Sequence, residues 1–280
     1  MPGKKPRIGV IVDDITIHKW ETNELLREIS RQGHKAVELN IYRSPLDVEE
    51  RNWGFDYALA RTMGSTPFRV EAIKAIEISG IKVVNAYRSI RQGGDKYVSL
   101  INMRKLGLHI PRTMMVSSFE SAVRAISQIG TPVVLKPVVG TYGQGLFRIF
   151  DLEKELEFLD GLAYPYLVQE YIPHKEGDIR VFVCGDKALG AMTRIAPQDE
   201  WKTNVSTGGQ SKKHKMDEEL KETAVNAAKA IGASYGGVDI MKKDGKYHVI
   251  EVNTQADFKG FYRTIGINPA KDIVDLLFED

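Results

Sequence analysis

The chain has 280 residues, 42% hydrophobic and 27% charged, an ordinary globular composition; single cores stop growing near about 250–300 residues, so more than one core fits. Its 39 basic and 37 acidic side chains leave a formal charge of +2, which gives no electrostatic reason to expect nucleic acid as a partner. Apolar runs such as RIGVIV fall far below the roughly 20 residues of a membrane helix, and the run after MPGKKPR soon meets Asp13 and Asp14; neither a bilayer span nor a signal peptide is expected, and the expected compartment is the cytoplasm.

Up to about residue 90 the pattern alternates. Strands are predicted at 7–12, 35–42, 55–61 and 82–86, with helices at 21–33 and 68–80, as in a parallel α/β unit. Leu25, Leu26 and Ile29 share one face of the first helix, and Gly33 stands at its stop. No GxGxxG turn follows a strand, so no dinucleotide fingerprint is present. A second module opens at GGDKYVSLINMRKLGLHIPRT, with a helix running toward Gly107. Helices are predicted at 118–130 and 151–162, strands at 131–139 and 167–172, and a glycine loop at 140–145. From 178 the chain turns β-rich: a hairpin over 178–196, a helix over 217–232 with Leu220, Ala224, Ala227 and Ile231 on one side, and a closing hairpin over 236–253.

The lone Cys184 sits on an apolar strand and reads as packing, and the six histidines show no paired spacing for zinc. The closing hairpin carries a more specific signal. Along HVIEVN, alternation puts Glu251 and Asn253 on one face. A strict two-residue Asp-Gly loop would pair Asp239 with Ile250 and aim Asp239 the wrong way, whereas a three-residue loop with Gly245 left-handed pairs it with Val249 and unites Asp239, Glu251 and Asn253. Two carboxylates and an amide form a hard-oxygen set suited to Mg²⁺, which commonly accompanies phosphates. Lys136, inside the apolar strand TPVVLKPVV, needs a charge partner, and GTYGQG behind it can wrap phosphate oxygens with backbone N–H groups.

In order, GGDK, VVLKPVVGTYGQG, VQEYI, GDIRVFV, TNVSTGG, GGVDI and IEVNTQADF resemble the ATP-grasp superfamily, and within it the RimK-like branch of glutamate ligases and LysX/ArgX ligases acting on an amino-group carrier protein. The resemblance implies an α/β (α+β ATP-grasp) fold: a small parallel α/β domain over 1–92, then a central lobe over 93–172 and a C-terminal lobe over 173–280, with the nucleotide between two β-sheets.

It also implies roles. Lys96 and Lys136 would neutralise the phosphates of ATP, with Gly140, Thr141, Tyr142, Gly143, Gln144 and Gly145 as a lid. Gln169, Glu170, Tyr171 and Ile172 would hold adenine, and Asp178 the ribose side. Asp239, Glu251 and Asn253 would hold two Mg²⁺ ions, or Mn²⁺ in their place; Arg180, Arg194 and Asn204 would form the clamp around the γ-phosphate and acceptor, and Phe258, Lys259 and Gly260 would line the acceptor pocket.

The implied reaction joins an acceptor carboxylate to an amino acid, glutamate first among the candidates, through an acyl phosphate with release of ADP. The acceptor is a small molecule or, in the alternative LysX/ArgX manner, an acidic carrier protein that Lys212–Lys215 and Lys242–Lys243 could meet. No nucleic acid or membrane partner is implied, and a homo-oligomer, dimer or tetramer, is. Lys202 stands where many such sequences carry arginine, which removes bidentate geometry there.

Overall fold

The computed structural model describes residues 5–49, 52–62, 64–138, 145–174, 177–196 and 210–279. Strand β1 (Arg7–Val12) is apolar on both sides, with Ile8, Val10 and Val12 in one core and Ile11 in another, as a central strand of a parallel sheet requires. It pairs in parallel with β2 (Lys35–Asn40) and β3 (Tyr57–Ala60), and β4 (Lys82–Val84) completes the order β2-β1-β3-β4. Helix α1 (Trp20–Arg31) covers one face through Leu25 and Ile29, and α2 (Pro67–Ile78) covers the other through Val70, Ile73 and Ile76. Helices α3 (Tyr87–Gly94) and α4 (Lys96–Lys105) follow, separated by Asp95, whose carboxylate caps α4 by accepting from the Tyr97 and Val98 N–H groups.

The next sheet is antiparallel, in the order β5-β8-β6-β7, from β5 (Thr113–Val116), β6 (Val133–Pro137), β7 (Phe147–Ile149) and β8 (Tyr166–Glu170). One face packs on α5 (Phe119–Ile129), which a Ser118–Ser121 capping box starts. The helix expected over 151–162 reduces to a 3₁₀ turn, Glu153–Glu155, and the short α6 (Leu156–Asp160). Asp151, Glu153, Glu155 and Glu157 crowd one sign of charge into two turns, which a solvent-side helix does not tolerate well.

The third sheet runs β11-β10-β9-β12-β13, built from β9 (Asp178–Cys184), β10 (Lys187–Ile195), β11 (Gln210–His214), β12 (Tyr235–Lys243) and β13 (Lys246–Asn253), all antiparallel. Helix α7 (Glu218–Ala230), capped by Asp217, lays Leu220, Ala224 and Ala227 on Val181, Val183, Val238 and Val249 of one face, and Ile231 just beyond its end joins them. The opposite face is divided. At one end Phe182, Cys184, Met192 and Tyr235 share a core with Ile8, Val10 and Leu25, together with Phe258, Phe261 of α8 (Lys259–Ile265) and Ile273 of α9 (Ala270–Asp275). The other end is polar and forms the site described below.

The first sheet is therefore joined to the third through one core. Met103 of α4 packs in the α7 core, so the expected division at 93 does not coincide with a packing boundary; by packing, the central lobe runs from β5 to β8. Among the described residues, no helix is long and apolar enough to cross a membrane.

The β12–β13 hairpin corrects one expectation. Its loop is the strict two-residue Asp244–Gly245 turn, both residues at positive φ (51° and 78°), with Lys243 opposite Lys246. The change of parity comes from a β-bulge: Ile240 faces Val249, Asp239 faces Glu251, and Ile250 is the extra residue. Asp239, Glu251 and Asn253 share a face as expected, for a different reason.

Asn85, at the end of β4, fastens the first and third sheets. It is fully buried; its Oδ1 accepts from the Ser234 and Tyr235 N–H groups at 2.7 and 3.2 Å, and its Nδ2 donates to the Tyr235 and Thr254 carbonyls. Asn85→Ala strands two backbone donors and two acceptors, and at about 1–3 kcal/mol for each buried group left unpaired the variant should lose at least about 3 kcal/mol. Urea unfolding measures this; an unchanged midpoint would show that Asn85 does not hold the two sheets together.

Candidate active site

Strands β9, β10 and β12 put Asp178, Arg180, Arg194 and Asp239 on one face, because Asp178 lies opposite Arg194 and Arg180 opposite Asp239 across the ladders. Asp239 is 5% exposed and is held from two sides. Arg180 donates from Nε and Nη2 to its two oxygens at 2.7 and 2.6 Å, and Arg194 Nη2 approaches Oδ2 at 3.0 Å. Arg194 also grips Asp178, with Nε 3.2 Å from Oδ1. Gly237 leaves room for Arg180, since a Cβ there would stand 3.3 Å from its Nε.

Burial alone would raise the Asp239 pKa, but Arg180 and Arg194 outweigh it and bring it down to about 2. Burial likewise opposes the charge on Arg194, and Asp239 and Asp178 more than compensate, raising its pKa. The group is an alternating row of buried charges whose pairing offsets the cost of desolvation.

Across the bulge from Asp239 stands Glu251, half-buried, with Asn253 Nδ2 3.3 Å from its Oε1. Among the described residues there is no cluster of three or more His, Cys, Asp or Glu; the set is two carboxylates and an amide. It fits Mg²⁺ on chemistry: the donors are oxygen, Asp239 stays ionised, and an amide side chain can offer either its oxygen or its nitrogen. The central sheet brings Lys136, half-buried on β6. Burial lowers its pKa to about 8; Glu251 works against that fall, the neighbouring Lys96 adds to it, and Asp239 opposes it. Lys136 thus stands within electrostatic reach of the two carboxylates among the expected metal ligands and of the second lysine.

The other expected residues are placed as follows. Gly145 takes φ +69°, and a Cβ there would meet Pro137 Cγ at 2.8 Å, so this end of the glycine loop folds back on β6. Gly140, Thr141, Tyr142, Gly143 and Gln144, and likewise Asn204 and Lys202, lie outside the described residues. Gln169 is buried with Nε2 donating to Thr113 Oγ1 at 2.9 Å; Glu170 is paired with Lys243 at the tip of the β12–β13 hairpin; the Tyr171 N–H donates to the Pro132 carbonyl; Ile172 is buried. Asp178 is 2% exposed, and both its oxygens are engaged by Arg194.

Phe258 requires a correction. It is fully buried, edge-on to Trp20 and Phe182, and so belongs to the shared core rather than to a pocket wall. Lys259 opens α8, its N–H accepted by Glu21, and space around Gly260 is open. Lys212 and Lys213 lie exposed on the edge strand β11, whereas Lys242 lies over the Tyr247 ring and Lys243 is held by Glu170. Cys184 is buried and burial pushes its thiol pKa up, so it is not a nucleophile.

The Asp239 shift has a signed consequence. A carboxylate depressed in the folded state contributes stability above its unfolded pKa, here 3.8, and loses it as pH falls through the folded value of about 2. The stability advantage of the wild type over Asp239→Asn should therefore shrink by about 2 kcal/mol between about pH 5 and about pH 2. Urea unfolding of both proteins across that range checks it; a constant difference would contradict the ionised, doubly held carboxylate.

Comparison with known proteins identifies the family. The model of the RimK-like ATP-grasp domain matches residues 93–277. The chain is 30% identical over 282 residues, 98% of its length and 99% of the relative's, to glutamate–LysW ligase ArgX of Sulfurisphaera tokodaii. It is 34% identical over 245 residues, 75% of its length and 74% of the relative's, to tetrahydromethanopterin:alpha-L-glutamate ligase of Methanosarcina acetivorans. Its fold matches the ATP-grasp ligase PsnB, solved with a phosphomimetic variant of a minimal precursor, Mg and ADP, at a TM-score of 0.75 and 22% identity over 96% of this chain and 97% of that one. The chain belongs to the RimK-like ATP-grasp family of ATP-dependent ligases.

Proposed function

We propose that this ligase joins an acceptor carboxylate to the amino group of an amino acid, with glutamate as the leading candidate, and releases ADP and phosphate. The observation that carries the reading is the gathering of Lys96 and Lys136 from one side with the arginine-held carboxylates from the other: Lys136 feels Lys96, Glu251 and Asp239, and Asp239 feels Arg180 and Arg194, an arrangement suited to a bound polyphosphate.

In this reading an acceptor carboxylate oxygen attacks the γ-phosphorus, the bond to the β-phosphate oxygen breaks, and ADP leaves. The amine then attacks the acyl carbon, phosphate departs, and the amine proton passes to phosphate or solvent. Lys96 and Lys136 hold the phosphates, and Arg180 and Arg194 stabilise charge as it develops. Asp178 keeps Arg194 in place. Asn204 and residues 140–145 complete the clamp and the lid. Asp239, Glu251 and Asn253 would hold two Mg²⁺ ions, which would neutralise phosphate charge. No protein nucleophile takes part, in keeping with positioning and electrostatics as the main source of rate in phosphoryl transfer.

For the acceptor, a carrier protein of LysW type is favoured over a pterin by one observation: the match to the LysW ligase runs over nearly the full length of both chains, whereas the pterin ligase matches three-quarters of each.

Two results test the reading. Glu251→Gln should reduce turnover by at least about a hundredfold while leaving the thermal midpoint unchanged, because the residue serves the metal rather than the core; an unaltered rate would remove it from the metal site. Lys136 must be charged to hold phosphate, so ATP affinity should fall as pH rises through about 8, and Lys136→Arg should abolish that inflection. Calorimetric titration of ATP from about pH 7 to pH 9 reads the effect; a flat profile would contradict the phosphate role.

A further inference from the structure

The central lobe has its own core, so its place against the rest of the molecule depends on where the chain crosses into it and on what is tied at the crossing. The chain enters through residues 108–112. Leu108 and Ile110 pack in the α7 core, and the His109 carbonyl accepts from the Val249 N–H of β13 at 2.9 Å, with the His109 and His248 rings 5.6 Å apart. Arg112 already belongs to the central sheet, its carbonyl accepting from the Glu170 N–H at 2.8 Å. The chain leaves the lobe beyond Glu170, the last residue of β8. Entry and exit thus lie side by side, and residues 109–112 are pinned to β13 at one end and to β8 at the other.

The side chain of Lys243 spans this crossing. It is the last paired residue of β12 before the Asp244–Gly245 turn, and its Nζ is ion-paired with Glu170 Oε1, while the other Glu170 oxygen lies 3.4 Å from the Arg112 N–H. Both side chains are part-buried, 33% and 28% exposed. Lys243 stands four residues, about 13 Å, along β12 from Asp239, which faces Glu251 across the bulge. Glu170 stands opposite Val133 on β6, three residues before Lys136. The ion pair therefore links the hairpin of expected metal ligands to the strand that carries the expected phosphate lysine. At the far end of β6 the Val138 carbonyl accepts from the Lys96 N–H at 3.4 Å, so Lys136 lies between two ties to the rest of the molecule.

We propose that Lys243 is a positioning residue: paired with Glu170, it braces the hinge of the central lobe and so sets the place of Lys136 relative to Asp239 and Glu251. The β12–β13 ladder carries the position of the hairpin tip to its metal-ligand rows, and the ladder between β8 and β6 carries it onward to Lys136. The catalytic consequence rests on the ligase reading above; the brace itself does not. A part-exposed ion pair adds little to overall stability, so its effect falls on the lobe equilibrium. Without it, the arrangement that phosphoryl transfer requires is occupied for a smaller fraction of the time.

The test reads lobe position and catalysis separately. Spin labels on Arg124→Cys in α5 and Asn226→Cys in α7, both exposed positions, report the distance between the lobes by dipolar spectroscopy in the full chain without nucleotide; the buried Cys184 stays unlabelled. Lys243→Gln should broaden the distance distribution, Lys243→Arg should keep it as narrow as in the wild type, and the thermal midpoint should change little in either. In the unlabelled proteins, turnover of Mg²⁺-ATP with an amino acid and an acceptor should fall about fivefold for Lys243→Gln and stay within twofold for Lys243→Arg. An unchanged distribution in Lys243→Gln would overturn the brace, and a broadened distribution with full turnover would overturn the positioning role. The expected distance changes, found together with a wild type that forms no ADP with any amino acid and acceptor, would leave the brace standing and remove the ligase reading instead.

Discussion

A single buried carboxylate organises the reaction face. Asp239 is held by two arginines, Arg180 opposite it on β9 and Arg194 from β10 one strand farther, and Arg194 in turn is shared with Asp178. Each charge would be costly alone at this depth, and removing one member of such a row is far more damaging than replacing all of it with apolar groups. Stability alone would not select the arrangement. It keeps two guanidinium groups side by side against a carboxylate that remains ionised well below neutral pH.

The third sheet serves two purposes with one face. Alternation along β9 puts Asp178, Arg180, Phe182 and Cys184 on the same side, and the strand is divided between them: its first half carries the buried charge row, its second half is core against the N-terminal sheet. The Asn85 side chain reinforces the join one residue beyond β13, at Thr254. The N-terminal sheet and the C-terminal lobe are therefore packed through one core, and the central lobe, with its own core, brings Lys136 within electrostatic reach of Glu251 and Asp239.

Much of this was legible in the residues. Glu251 and Asn253 stand out because hydrophobic alternation in HVIEVN leaves two polar side chains on one side, and Lys136 because an apolar strand does not carry an unpaired ammonium. The bulge at Ile250 was not legible: an isoleucine looks the same whether it occupies a regular pair or the extra position, and only the Asp244 left-handed turn together with the Asp239–Glu251 register reveals it. The pairing of Arg180 and Arg194 around Asp239 depends on a strand order that the sequence does not state. Strands β5 and β7 have four and three residues, too few for alternation to show, and the polar edge strand QSKKH looks like a loop. Phe258 was misjudged because a phenylalanine beside a functional motif carries no sign of which way it turns; Trp20 and Phe182 decide that.

The central claim is that the cleft makes an acyl phosphate and then an amide. The most direct measurement is the nucleotide product and the mass change when pure protein is given Mg²⁺-ATP, a pool of amino acids, and either a small-molecule extract or an acidic protein fraction from its source. The account predicts ADP and phosphate only when an amino acid and an acceptor are both present, with one acceptor gaining the mass of an amino acid less water. AMP and pyrophosphate as products, or ADP formed without any acceptor gaining mass, would contradict it.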